Sequence, residues 1–233
     1  MAEQSPNFEQ LEGLLGAKPC MLLLRHAARG PVQQGMTVVE AFRVGLSPEG
    51  LEAAEKLGAY IRRTKAQLSL AYAVSSGVPR SADTLTRILK GGNWLGGNVE
   101  EIEMQVNTER MLYGAGLIDR AKGDEMLADH RLVAKAYAGQ YSIGPLSMDE
   151  AGEKLAAHLA GEVLEWLKSP NDFALAISHD MIIMLLLHRY FGVRELKDSW
   201  PGFMEGLALT REAGDEIRMH WRGKQATVKA AQH

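Results

Sequence analysis

Three short stretches of the sequence carry residue types that can bind a phosphoryl group and attack it. They are RHAAR at residues 25–29, SSGVPR at residues 75–80 and SHD at residues 178–180. Planar guanidinium groups bind phosphate oxygens in bidentate fashion, and a neutral imidazole nitrogen is a nucleophile. Several cationic groups in one place would repel each other unless an anion lay between them. The residue types therefore indicate phosphoryl chemistry, provided that the fold brings the stretches together.

Each stretch directly follows an apolar segment that predicts a buried strand, at residues 20–24, 70–74 and 173–178. Helices are predicted over residues 47–68 and 78–90 and from Asp180 onward. This alternation predicts an α/β fold of three layers, α/β/α, with a mostly parallel sheet. Ligands in such sheets bind at the carboxyl ends of the strands. If the three strands are neighbours, the three stretches converge on one site.

The remaining elements are less regular. We predict a strand at residues 99–104, helices over residues 119–138 and 148–168, and a strand pair near residues 207–221. The tail from Arg222 onward is polar, so we expect it to be frayed. Residues 1–233 are predicted to form one domain, and the irregular stretch at about 92–145 suggests a small cap inserted over one edge of the sheet.

Composition excludes several classes of partner. The net charge of -3 favours neither nucleic acid nor an anionic membrane surface. The longest apolar run in the C-terminal half, residues 181–187, is far too short to span a bilayer. The single cysteine, Cys20, lies in an apolar run and predicts a buried hydrophobic residue. Without a recognisable secretory signal in residues 1–17, we expect a cytoplasmic protein.

The three stretches together resemble the histidine phosphatase superfamily. RHAARGP at residues 25–31 is similar to the RHG-x-R-x-P signature of its acid phosphatase branch, with Ala27 in place of the glycine. SSGVPRSADT at residues 75–84 resembles the second segment of the superfamily, and SHD at residues 178–180 resembles its late His-Asp motif. NTERMLYGAG at residues 107–116 resembles the ERxYG stretch of the phosphoglycerate mutase branch, with one extra residue before Tyr113. The resemblance spans residues 25–180.

This resemblance implies a role for each matching side chain. His26 would be the nucleophile that forms a phosphohistidine, with no metal and no cofactor. The groups that would hold the phosphate oxygens are Arg25, Arg29, Arg80 and His179. The arginines around His26 should also lower the pKa of its imidazole, which keeps it unprotonated.

A proton donor for the leaving oxygen is also required, and two carboxyl groups are candidates. Glu109 matches the acid of the mutase branch, and Asp180 matches the acid of the acid phosphatase branch. Asp180 has an alternative role, because it begins a predicted helix and could stabilise its N-terminus. Glu109 has one too, since it could pair with Arg110 or Lys122. Capping explains Asp180 without catalysis, so Glu109 is slightly favoured.

The expected activity is that of a metal-independent phosphomonoesterase. Its substrate would be a small-molecule or protein phosphomonoester, and sugar phosphates, nucleotides, phosphoproteins and aryl phosphates all remain open. A phosphomutase of the same superfamily is one alternative, and a non-catalytic module that binds phosphorylated ligands is another. The sequence does not indicate an oligomeric state.

Overall fold

The computed structural model describes residues 18–33, 35–95, 104–106, 111, 114, 116–194 and 200–230. Within these ranges the chain contains seven strands and seven helices. The strands are β1 (Cys20–Arg25), β2 (Ser69–Ser75), β3 (Met104–Val106), β4 (Asp172–Ser178), β5 (Gly206–Arg211), β6 (Glu216–Trp221) and β7 (Lys224–Lys229). The helices are α1 (Val38–Arg43), α2 (Pro48–Thr64), α3 (Pro79–Gly91), α4 (Arg120–Ala128), α5 (His130–Tyr137), α6 (Met148–Trp166) and α7 (Asp180–Phe191).

All seven strands form one mixed sheet in the order β3-β2-β4-β1-β5-β6-β7. The first four strands in this order pair parallel with one another, whereas β5 pairs antiparallel with β1, and β6 and β7 continue the antiparallel part. The predicted α/β fold is therefore confirmed, but the sheet is only partly parallel, because the C-terminal strands form an antiparallel half. The parallel part is the part that carries the three stretches. The predicted strand pair near the C-terminus is the β5–β6 hairpin.

The sheet lies between two layers of helices, as the alternation of elements predicts. Successive residues of β1 point to opposite faces: Leu22 and Leu24 pack in the core under α2 and α3, and Met21 and Leu23 pack in the core under α6 and α7. Cys20 is fully buried in the first of these cores, where burial raises the pKa of its thiol to about 12. The cysteine is thus a neutral packing residue, as predicted.

Helix α2 begins close to the loop that follows β1. Ser47 is its N-cap and accepts a hydrogen bond from the Gly50 N–H, and Pro48 occupies the first turn. A Cβ built on Gly50 would lie 2.0 Å from the carbonyl oxygen of Ala28. The same carbonyl accepts a hydrogen bond from the Ser47 N–H at 3.0 Å. The glycine therefore lets the start of α2 pack directly against the loop.

Two predictions from the sequence need correction, and the structure covers a third only in part. Residues 119–138 form two helices, because Asp129 ends α4 and its side chain caps α5. The tail from Arg222 onward is not frayed over its whole length, since residues 224–229 pair with β6 as β7. Most of the predicted strand at 99–104 lies outside the described residues, and so do parts of the 92–145 insertion.

None of the described helices has the length and apolar character needed to cross a membrane.

Candidate active site

The carboxyl ends of β1, β2 and β4 meet in the middle of the sheet. β4 lies between the other two strands, with Arg25 paired to Ser178 and Ser75 paired to Ile177. The His26 N–H donates to the Ser178 carbonyl at 3.0 Å, which extends the β1–β4 pairing by one residue. The three stretches therefore converge at the carboxyl ends of the central strands. They do so although they are up to 155 positions apart in the chain (residues 25 and 180).

His26 lies at the centre of this arrangement and is 3% exposed. Its Nδ1 is 2.8 Å from the Ala27 carbonyl oxygen, which can only accept, so Nδ1 carries the proton. Its Nε2 is therefore unprotonated, and it accepts a hydrogen bond from Nε of Arg80 at 3.0 Å. Nε2 is the nitrogen that has a lone pair available for attack.

Burial is the largest cause that holds the pKa of His26 well below its usual value. His179, Arg80 and Arg25 lower this pKa further, and the hydrogen bond to Ala27 opposes them. The pKa is lowered, as the sequence predicts, but burial lowers it more than the arginines do. The imidazole is consequently neutral at physiological pH.

Arg80 lies in the first turn of α3 and is almost completely buried beside His26. Its Nη1 donates to the Ala41 carbonyl at 3.3 Å, and its guanidinium carbon lies 5.8 Å from the centre of the Phe42 ring. Burial lowers the pKa of Arg80 to about 10, with a further contribution from Arg29, so the group stays cationic. Two residues of helix α1, Ala41 and Phe42, thus contact this guanidinium and help to hold it beside His26.

His179 lies across from His26, with a distance of 5.3 Å between the ring centres. Its Nε2 is hydrogen bonded to Oγ of Ser76 at 2.8 Å, and its Nδ1 is buried with no hydrogen-bond partner in the part of the chain that the structure describes. Burial and then Arg80 lower the pKa of His179 to about 3, so this imidazole is also neutral. A buried ring nitrogen without a partner is costly unless a ligand meets it.

Arg25 is held from three directions. Its Nη2 forms an ion pair with Oδ2 of Asp180 at 3.1 Å, and its Nη1 donates to the Pro201 carbonyl at 2.9 Å. Its guanidinium carbon lies 4.3 Å from the centre of the Phe203 ring. The Nε of Arg25 is buried and has no hydrogen-bond partner among the described residues. One strong donor of this side chain is therefore not used by that part of the protein.

Asp180 is the first residue of α7 and is 5% exposed. Besides the ion pair with Arg25, its Oδ1 accepts a hydrogen bond from the Met181 N–H at 3.0 Å. The helix N-cap itself is His179, whose side chain makes no capping hydrogen bond. The carboxylate thus stabilises both the first turn of the helix and an arginine of the site.

Arg29 is half-buried in the loop after β1, where its backbone forms a bridge to Leu46. Burial lowers the pKa of its guanidinium, Asp180 raises it, and Arg25 lowers it. These interactions place Arg29 in the same group of charges as the other two arginines. The structure therefore brings together six of the seven predicted site residues. The seventh, Glu109, lies outside the described residues.

The alanine at position 27 fits the loop without backbone strain. Among the described residues, the non-glycine positions with positive φ are Asn93, Met204 and Arg222, so Ala27 is outside the left-handed region. Its side chain is fully buried, and its N–H donates to Oγ1 of Thr84 at 2.9 Å. The Cβ that replaces a glycine hydrogen is accommodated by packing.

Sequence reasoning did not single out two side chains that touch the site. Ser76 was named only as part of its stretch, and its contact with His179 depends on the pairing of β2 with β4. Phe203 lies near both Arg25 and His26, with 5.6 Å between the Phe203 and His26 ring centres. The only signal for it is the turn-forming dipeptide Pro201-Gly202 before β5.

No protein-family model matches the chain, and no curated protein matches it in sequence. Solved structures do match. The ecdysone phosphate phosphatase of Bombix mori, in complex with tungstate, aligns with a TM-score of 0.51 at 14% identity, over 93% of this chain and 97% of that one. A mycobacterial glucosyl-3-phosphoglycerate phosphatase aligns with a TM-score of 0.49 at 17% identity, over 91% and 99%. A phosphoserine phosphatase of Entamoeba histolytica aligns with a TM-score of 0.49 at 14% identity, over 90% and 94%. The chain has the fold of the histidine phosphatase superfamily.

Proposed function

We propose that this protein is a phosphomonoester hydrolase that works through a phosphohistidine on His26. The observation that carries the proposal is the position of the His26 Nε2 lone pair. It shares a buried site with Arg25 and His179, and Nε of Arg25 and Nδ1 of His179 have no hydrogen-bond partner among the described residues. The carboxylate of Asp180 accompanies the three arginines of this site. A phosphoryl group would supply acceptors for the two unpartnered atoms and offset the remaining positive charge.

Before the proposed first step, Arg80 turns its Nε–H from His26 to a phosphoryl oxygen, which frees the Nε2 lone pair. Nε2 of His26 then attacks phosphorus in line with the ester oxygen. The N–P bond forms as the P–O bond breaks, and the alcohol oxygen leaves with a proton from a carboxylic acid. Arg25, Arg29 and the Nδ1–H tautomer of His179 bind the remaining oxygens and offset their charge.

In the second step, water attacks the phosphohistidine and the N–P bond breaks. The acid that gave up its proton accepts one from this water, and inorganic phosphate leaves. The Ala27 carbonyl holds the proton on Nδ1 throughout, so Nε2 returns to its unprotonated state. We propose that this route is metal-independent, since the three arginines supply the positive charge that phosphoryl transfer requires.

We propose Glu109 as the acid in both steps, because Asp180 is engaged in another way. The ion pair with Arg25 and the bond from the Met181 N–H both favour a charged carboxylate at Asp180. A general acid must instead carry a proton when the substrate is bound. The sequence around Glu109, which resembles the acid-bearing stretch of the mutase branch, supports this assignment.

Hydrolysis of phenyl phosphate by the purified protein between pH 4 and pH 8 tests the proposal. We expect turnover by the wild type and loss of at least 10³-fold in kcat for His26→Ala. Arg80→Ala should lower kcat/KM by about 10²-fold, as for loss of one donor to a transition-state oxygen. Arg62→Ala, which changes an arginine at the far end of α2, serves as the matched control and should be active.

Three results would contradict the hydrolase. Tight binding of inorganic phosphate without turnover would indicate a non-catalytic binding module. Isomerisation of a phosphorylated three-carbon acid without net hydrolysis would indicate a mutase. Full activity of His26→Ala would exclude the phosphohistidine. A panel that includes a steroid phosphate, phosphoserine, a sugar phosphate and a nucleotide would then define the substrate class.

A further inference from the structure

A turn between α7 and β5, residues 201–205, is fixed against the end of β1. The Met204 N–H donates to the Arg25 carbonyl at 3.1 Å, and the Arg25 N–H donates to the Glu205 carbonyl at 2.9 Å. Met204 has a φ of 57°, a left-handed conformation that is uncommon for a residue other than glycine, and its side chain is buried. We call this element the 201–205 turn.

Side-chain contacts strengthen the same turn. Glu205 accepts two hydrogen bonds from Arg222, at 2.6 Å to Oε1 and 2.9 Å to Oε2, in a bidentate ion pair. Its Oε2 also accepts from the Gly202 N–H at 2.8 Å. The next residue, Gly206, allows close approach to β1, since a Cβ there would lie 1.9 Å from the Leu23 carbonyl oxygen. The turn is thus built as a rigid element.

The turn presents two groups to a single side chain, Arg25. The Pro201 carbonyl accepts a hydrogen bond from Nη1, and the Phe203 ring lies against the guanidinium carbon at 4.3 Å. The other terminal nitrogen, Nη2, forms the ion pair with Asp180. An arginine packed on an aromatic ring keeps its N–H groups free for hydrogen bonds in the guanidinium plane. The two terminal nitrogens therefore have protein partners, whereas Nε has no acceptor within the described ranges.

We propose that Phe203 is a positioning residue that fixes the plane of the Arg25 guanidinium and so directs its Nε–H at the bound phosphoryl group. The identity of that group rests on the proposed function. Phe203 also lies beside the His26 ring, with 5.6 Å between the ring centres. The same residue would therefore help to set the position of the Arg25 donor relative to the nucleophile. Phe203 therefore acts on phosphate through Arg25, and it acts equally on every phosphomonoester.

The first test compares Phe203→Leu with the wild type. Leucine keeps an apolar side chain but removes the aromatic face. We expect the Kd of inorganic phosphate, measured by calorimetry, to rise about tenfold, because an Arg25 guanidinium that is no longer held in place loses much of one charge-assisted hydrogen bond to phosphate. The kcat/KM for phenyl phosphate and for a small alkyl phosphate should fall by the same factor. Phe191→Leu, which changes a half-buried phenylalanine packed on Trp221, is the matched control and should leave all three values unchanged.

The second test uses Arg25→Lys, which keeps the charge but has no planar group. If Phe203 acts through Arg25, Phe203→Leu should weaken phosphate binding by less than about twofold in this background, as read from the shift in Tm with added phosphate. A tenfold effect that persists with lysine would overturn the proposal. So would an unchanged phosphate Kd with a loss confined to phenyl phosphate, because Phe203 would then contact the leaving group.

A third measurement does not depend on function. In ¹⁵N-labelled protein without ligand, the Arg25 Nε–H should give a steady-state heteronuclear NOE as high as that of the rigid backbone, and Phe203→Leu should lower it. An NOE that Phe203→Leu leaves unchanged would overturn the positioning role. If the NOE falls as expected while the wild type neither binds nor hydrolyses phosphate, the positioning of Arg25 stands and the proposed function fails.

Discussion

Glu109 and Asp180 are the two candidate acids, and kinetic measurements on single substitutions can distinguish their roles. Asp180 is tied to Arg25 and to the first turn of α7. A group that donates a proton to the leaving oxygen matters most when that oxygen is a poor leaving group. A residue that holds an arginine affects all substrates alike. The dependence on the leaving group therefore separates the two roles.

We predict that Glu109→Gln lowers kcat/KM by about 10²–10⁴-fold for an alkyl phosphate and by much less for 4-nitrophenyl phosphate, whose leaving group needs no proton. Asp180→Asn should change both substrates by the same factor. Steady-state kinetics with a series of aryl and alkyl phosphates would measure the two slopes. A steeper dependence on leaving-group pKa in Asp180→Asn than in the wild type would assign the acid to Asp180 instead.

Much of the site could be predicted at the residue scale, because its side chains directly follow strands that are recognisable from their apolar runs. Arg25, His26 and His179 are of this kind. Phe203 is not, since its position depends on a turn that contacts Arg25 from 178 residues further along the chain. Whether an alanine fits at position 27 also could not be predicted from sequence. The fit depends on the backbone φ of this residue and on the space around its methyl group.

Among the elements, α2 is the one whose start contacts the loop that carries His26, the proposed nucleophile. The Ser47 N–H and the missing side chain of Gly50 both lie against the Ala28 carbonyl. The sequence predicts this helix, but nothing in the sequence marks Gly50 as a point of close contact. Its role in close packing appears only when the loop and the helix are seen together. The polar segment 224–229 was missed as a strand because its pattern shows little apolar alternation.

We predict that Gly50→Ala destabilises the protein by about 1–3 kcal/mol, the usual cost of overpacking. It should also lower kcat, because the displaced Ala28 carbonyl belongs to the loop between His26 and Arg29. Gly161→Ala is the control: this glycine is in α6, and a Cβ there would meet no atom within 4 Å. That change should stabilise by about 0.5–1 kcal/mol. Urea unfolding of both variants would show the contrast, and a Gly50→Ala protein as stable as Gly161→Ala would contradict the packing argument.

For the whole molecule, the buried neutral histidines make stability depend on pH. In the unfolded chain an imidazole titrates near its usual pKa of about 6.5, whereas in the folded protein burial lowers the pKa of His179 to about 3 and that of His26 well below the usual value. Below about pH 6.5 the unfolded state thus binds more protons. Stability is then lost as the pH falls from about 6.5 towards 3.

We predict that His179 alone accounts for a loss of about 2 kcal/mol between pH 6.5 and pH 5. His179→Gln, which cannot titrate, should have a shallower dependence of the free energy of unfolding on pH over this range. Denaturant unfolding at several pH values would measure both slopes. Equal slopes in the two proteins would show that His179 is protonated in the folded state near pH 6.

The order of strands in the sheet has a consequence for synthesis on the ribosome. β1 is made first, but its two neighbours, β4 and β5, begin only at residues 172 and 206. At ordinary rates of translation, β1 waits roughly 10 to 40 s for these partners. During that time an apolar strand, MLLL, is exposed on the nascent chain beside the unshielded charges of RHAAR. We therefore expect the nascent polypeptide to bind ribosome-associated chaperones, and the proposed active site to be among the last parts of the molecule to form.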